Sequence, residues 1–119
     1  MPDKNILIVD DDRLIIKILV PYLESKGFKV SSACDGEEGI EAIKSVVPDL
    51  LILDVQMPKM NGYSFLFELK KIPGADKLPV IILTSKDGMA EIFKYEGVKE
   101  YINKPVNNDA LLQLIQKYI

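Results

Sequence analysis

Short runs of branched aliphatic residues recur along the chain, at Ile6–Val9, Phe28–Ala33, Leu50–Leu53, Val80–Leu83 and Tyr101–Asn103. The runs at 6, 50 and 80 are apolar throughout, as strands covered on both faces must be. Between the runs, apolar residues return with helical period near 13–26, 37–46, 63–72, 88–96 and 108–118. Local signals mark several helix ends. Gly27 stops the first, Asp35 with Glu38 forms a capping box at the start of the second with Pro48 beyond it, and Asn107 or Asn108 caps the last. Pro21 removes a hydrogen bond to the Lys17 carbonyl and predicts a kink in the first helix. Asn61-Gly62 reads as a turn, with Gly62 expected at positive φ before the third helix. Five strands alternating with five helices predict an α/β domain: a doubly wound parallel sheet with helices on both faces, because each parallel strand needs a crossover.

No linker, repeat or low-complexity stretch divides the 119 residues, so residues 1–119 are read as one domain ending with the fifth helix, with no effector domain after it. A polar N-terminus and the lack of any apolar run near 18 residues predict neither signal peptide nor membrane span, which makes the cytoplasm the expected location. Cys34 is the single cysteine and fits a reducing compartment as a small half-buried hydrophobe. A net charge of −3, with 15 basic residues scattered among 18 acidic ones, offers no electrostatic footprint for nucleic acid. The absence of histidine is more decisive. It removes histidine-based triads, histidine metal sites and histidine phosphodonors together, and leaves the chemistry to carboxylates, hydroxyls and lysines.

Ligands of open parallel sheets bind beyond the carboxyl ends of the strands, so the residues that end each run matter most. The first run ends in Asp10-Asp11-Asp12, the third in Asp54, the fourth in Thr84-Ser85 and the fifth in Lys104-Pro105. Carboxylates about 4 Å apart at an effective dielectric near 20 repel by roughly 4 kcal/mol per pair. A cation relieves that repulsion. Oxygen-only donors without histidine or cysteine indicate a hard ion, and few protein ligands with retained waters suit Mg²⁺ better than Ca²⁺. Asp12, directly before Arg13 and the helical pattern, is assigned to the helix N-cap and left out of the metal set.

The stretches "ILIVDDD", "LLILDVQMPKMNG", "VIILTS" and "YINKP", at these intervals, resemble the response-regulator receiver domain of two-component signalling over the whole chain. The resemblance implies strand order 2-1-3-4-5 and a phosphorelay role. Asp54 is then expected to accept a phosphoryl group from a histidine kinase or histidine phosphotransfer protein, switching a surface for a downstream protein target. It further implies Mg²⁺ held by Asp11, Asp54 and the backbone carbonyl of Gln56 with Asp10 in support, and phosphate held by Thr84 and Lys104. A cis peptide bond before Pro105 and a switch formed by Thr84 and Tyr101 complete the set. Such a domain is a phosphoacceptor, not a turnover enzyme on a small substrate. A rival resemblance is enzymatic: "ILIVDDDRL" is similar to the D-x-D motif of haloacid-dehalogenase phosphatases, with Asp10 as nucleophile and Asp12 as acid/base. Against it stand Leu14 where that motif usually carries threonine or valine, and an unexplained Asp54. A flavodoxin-like binder of a flavin phosphate fails on sign, since three negative charges follow the first strand.

Two departures from the receiver pattern mark this chain. The interval from Thr84 to Lys104 is short, which shortens the fourth helix or its leading loop, and Gln56 and Lys86 occupy variable positions flanking the site. The first helix is apolar over a wider arc than one buried face requires, and Ile15 or Ile16 is expected to meet the helices of a histidine-bearing partner.

Overall fold

The computed structural model describes residues 4–54, 62–84 and 98–119, with the backbone alone at 62 and 63. The strands are β1 (Asn5–Val9), β2 (Lys29–Ala33), β3 (Leu50–Asp54), β4 (Val80–Thr84) and β5 (Val98–Asn103). All pair in parallel in one sheet of order β2-β1-β3-β4-β5. The described helices are α1 (Arg13–Glu24), α2 (Gly36–Ser45), α3 (Gly62–Leu69) and α4 (Asn108–Tyr118). The expected helix at 88–96 lies outside the described residues, so the described helix count is four.

The strict alternation of strand side chains splits the core into two layers. Leu7, Val9, Leu51, Leu53, Val80 and Ile82 point to one face and pack with Ile40 and Ile43 of α2 and Phe65, Leu66 and Leu69 of α3. Their neighbours Ile6, Ile8, Leu50, Ile52, Ile81 and Leu83 point to the other and pack with Leu19 and Leu23 of α1 and Leu111 and Ile115 of α4. The central strands β3 and β4 are buried at every position. Edge strands β2 and β5 are partly exposed, so their sequences carry polar residues such as Lys29, Ser31, Lys99 and Glu100.

The helix ends follow local chemistry. Asp12 caps α1 by accepting the Leu14 N–H at 3.0 Å. The helix is continuous across Pro21 to Glu24. Gly27, at φ +98°, then closes a Schellman motif: Phe28 N–H donates to the Leu23 carbonyl and Gly27 N–H to the Glu24 carbonyl. In the capping box of α2, Asp35 accepts the Glu38 N–H while the Glu38 side chain accepts the Cys34 N–H, both at 2.8 Å. Asn107 caps α4 through the Ala110 N–H at 2.9 Å. Gly62 differs from expectation. It is the first residue of α3, and the positive-φ glycines among the described residues are Gly27 and Gly74. Helix α3 ends at Leu69 rather than 72, because Pro73 disfavours helical backbone in the residue before it and Gly74 turns the chain.

Candidate functional site

The strand order places the ends of β1, β3 and β4 side by side at the middle of one sheet edge. Two backbone bonds fix the flanks. Asp10 N–H donates to the Ala33 carbonyl at the end of β2 (3.1 Å), and Lys104 N–H donates to the Thr84 carbonyl at the end of β4 (2.8 Å). Asp10, Asp54 and Thr84 are therefore brought together while being almost fully withdrawn from solvent, at 0%, 2% and 1% exposure. They are the buried polar side chains of the described core.

The three adjacent aspartates do different work. Asp10 turns inward, and its Oδ1 accepts the Asp12 N–H at 2.9 Å. Asp11 is exposed, yet offers a carboxylate oxygen that lies with those of Asp10 and Asp54 within 4.8 Å of one another. Asp12 caps α1, as the sequence predicts.

Lys104 directly follows β5 and is joined to Pro105 by a cis peptide bond, as expected. Its Nζ stands 3.2 Å from Asp10 Oδ2 and 3.5 Å from Asp54 Oδ1. One cation thus faces two buried carboxylates, which lowers their mutual repulsion without cancelling it. Asp10 Oδ2 is buried and has no hydrogen-bond partner among the described residues, the Lys104 contact being electrostatic in geometry. A buried carboxylate oxygen met by an ammonium alone among the described residues, in a cluster of three carboxylates without histidine or cysteine, fits a hard divalent cation coordinated by oxygen.

Gln56 and Lys86 lie outside the described residues. Tyr101 sits on β5 opposite Ile82 and packs on the α2–α3 layer. Its hydroxyl is already buried, without a hydrogen-bond partner among the described residues, and burial pushes the phenol above its ordinary range. The phenol end does not start exposed.

The apolar surface of α1 also differs in detail from the sequence reading. Ile15 and Ile16 pack against the α1–α4 layer, and the exposed positions are Leu14 and Ile18, at 64% and 49%. They border a groove of about 490 Å³ that runs to Lys104, Pro105 and Val106. Helical period shows a broad stripe but not which edge of it remains open. Nothing among the described residues supports the phosphatase reading. Asp12 Oδ1 is engaged as a helix cap instead of standing free as an acid/base, while Asp54 stands inside the acidic cluster.

Comparison with known proteins decides the family: the response regulator receiver domain matches residues 6–116. The chain belongs to that family. Among curated relatives of this receiver domain is protein PilH of Pseudomonas aeruginosa, 35% identical over 113 residues and 93% of each chain. Among solved structures, chemotaxis protein CheY4 of Vibrio cholerae superposes with a TM-score of 0.91 at 27% identity, covering 99% of this chain and 100% of the other. Response regulator TrrA of Thermotoga maritima, solved in complex with Mg²⁺-BeF, gives 0.86 at 30% identity, covering 98% and 99%. In other curated relatives, transcriptional regulators and hybrid kinase proteins among them, the chain spans only 7% to 56% of the length. The receiver domain is a phosphorelay signalling module, and the five-stranded order seen here is the one expected for it. No described helix is long and apolar enough to cross a membrane.

Proposed function

We propose that this receiver domain accepts a phosphoryl group on Asp54 from a phosphohistidine of a histidine kinase or histidine phosphotransfer protein, in the cytoplasm. The observation that carries the reading is the juxtaposition at Asp54: a buried carboxylate at the end of a central strand, with an ammonium at 3.5 Å and two more carboxylates in its cluster. An Asp54 oxygen bonds to phosphorus as the phosphorus–nitrogen bond of the donor breaks. The acyl phosphate stays on Asp54, and the freed imidazole takes up a proton. Little covalent work is asked of the protein, so positioning and charge neutralisation dominate.

Asp11 and Asp54, with the Gln56 backbone carbonyl and with Asp10 in support, would hold Mg²⁺. When bound, Mg²⁺ neutralises charge on the phosphoryl oxygens. Lys104 loses its contact with Asp54 to a phosphoryl oxygen and brings its positive charge there, and the Thr84 hydroxyl donates to another. Asp54 is held by pairing to Leu83 of β4, and the residue before it by pairing to Val9 of β1, which keeps the nucleophile on the strand end.

The partner's helices dock on Leu14 and Ile18 and the groove beside them, which leads to Lys104. The signal leaves through Thr84 and Tyr101. Because the Tyr101 hydroxyl is buried at the outset, movement of Thr84 toward phosphate changes what packs on an inward ring rather than drawing an outward one in. Incubation with acetyl phosphate and Mg²⁺ followed by intact-mass measurement tests the acceptor. Wild type gains the mass of one phosphoryl group, and Asp54→Asn stays folded without it. An adduct that persists in Asp54→Asn and disappears in Asp10→Asn sinks the proposal.

A further inference from the structure

A Cβ built on Gly39, in the second turn of α2, would stand 2.8 Å and 3.2 Å from the two methyls of Val9 and 2.9 Å from the Phe65 ring edge. Both neighbours are fully buried. Val9 is a poor candidate to yield. It is β-branched, and its backbone is paired to Ala33 on one side and Leu53 on the other. Phe65 is wedged among the α2–α3 layer.

With Phe65 held in its layer, the two remaining routes of relief, yielding by Val9 and retreat of α2, both pass through Asp10. Displacing Val9 displaces the residue bonded directly after it, which is Asp10. Moving α2 outward instead pulls on its capping box, where Glu38 holds the Cys34 N–H. That drags the end of β2, whose Ala33 carbonyl accepts the Asp10 N–H. We infer that Gly39 is a positioning residue for Asp10: its missing side chain, filled by the Phe65 ring edge, sets how closely α2 closes on the end of β1 and so where the buried carboxylate stands. Nothing larger than hydrogen fits between Val9 and Phe65 without moving one of them. The glycine is a disadvantage to the helix itself, which gives the close approach a cost that only the packing offsets.

The inference rests on the cation-site reading above, and the experiment separates the two. Mg²⁺ affinity is measured by calorimetry on wild type, Asp11→Asn, Gly39→Ala, Phe65→Leu and the Gly39→Ala/Phe65→Leu pair. Amide shifts of Asp10 and Asp12 are recorded on the metal-free proteins, because these two N–H groups report the bonds to Ala33 and to Asp10 Oδ1. Gly39→Ala is expected to weaken Mg²⁺ binding by about tenfold, the lower end of what losing an outer partner of a metal ligand costs, and to shift both amides. The pair returns both readouts part of the way toward wild type, because the shorter leucine relieves the 2.9 Å contact and gives α2 room to slide off Val9. A wild type that binds no Mg²⁺, or an Asp11→Asn that binds it equally well, overturns the site reading. Gly39→Ala with a lowered melting temperature but unchanged Asp10 and Asp12 amides and unchanged affinity overturns the positioning role alone. A pair no better than Gly39→Ala overturns the fit between Gly39 and Phe65.

Discussion

On the α2–α3 side of the sheet, Val9, Gly39 and Phe65 leave no room for one more carbon, whereas on the α1–α4 side Leu14 and Ile18 stand exposed beside a groove of about 490 Å³. The first region ends at Val9, the residue before Asp10, and the groove of the second is lined by Lys104, whose ammonium contacts Asp10 and Asp54. The difference teaches a division between holding and receiving. A cluster of like charges needs a rigid wall behind it, since any slack would let the carboxylates separate and blunt their hold on a cation. On the proposed function, a phosphoryl donor needs an open approach to Asp54, and the exposed apolar residues would offer its helices a surface to bury.

The comparison breaks first on stability. Phe65→Ala opens a cavity in the tight wall and is expected to cost about 3–5 kcal/mol, read as a lower urea midpoint. Leu14→Ala, on the open side, is expected to stay within about 0.5 kcal/mol of wild type while slowing phosphotransfer from a kinase and leaving acetyl phosphate labelling intact. Similar stability costs for the two variants would erase the distinction. Equal loss of both labelling reactions in Leu14→Ala would remove the receiving role.

A smaller effect sharpens the wall. Mg²⁺ at about one hundred times its dissociation constant is expected to stabilise the protein by about 2.7 kcal/mol. Asp11→Asn should forfeit most of that gain, although Asp11 is exposed and contributes nothing to the core. Thermal melts with and without Mg²⁺ read the difference, and an undiminished gain in Asp11→Asn would place the cation elsewhere.

The smallest effect concerns the tie that holds the open side together. Tyr22 of α1 donates its hydroxyl to Asp109 Oδ1 of α4 at 2.6 Å, and this bond, with lesser help from burial and the carboxylate charge, raises the phenol above its ordinary value of 10.0. The folded chain therefore holds that proton more tightly than the unfolded chain. The contribution is fully present below about pH 10 and is lost as pH rises through the folded value. Urea midpoints measured upward from about pH 8 should fall less steeply in Tyr22→Phe than in wild type. Identical slopes would show that the tie contributes nothing.

Much of this was legible along the chain. The all-apolar runs at 50 and 80 identify the central strands because a strand covered on both faces has no place for polar residues, and the residues ending each run identify Asp10, Asp54, Thr84 and Lys104 as neighbours. The apolar pattern marks strand β5 only from Tyr101, although the strand begins at Val98. As an edge strand it carries Lys99 and Glu100, which obscure the pattern. Gly39 was illegible for a different reason: alone it reads as a weak point in a helix, and its purpose exists only where Phe65, far along the chain, comes to meet it. Likewise the width of the apolar stripe on α1 is visible in the sequence, but the exposure of Leu14 and Ile18 rather than Ile15 and Ile16 depends on how α1 lies against the sheet and α4.

Asp12 leaves a consequence for how this chain can drift over generations. Its two contributions, a backbone N–H to Asp10 Oδ1 and a side-chain oxygen to the Leu14 N–H, need no negative charge. Asparagine or serine supplies both equally well. The third member of the acidic run is therefore free to exchange among small oxygen-bearing residues, while its two predecessors each place a carboxylate oxygen in the cluster with Asp54.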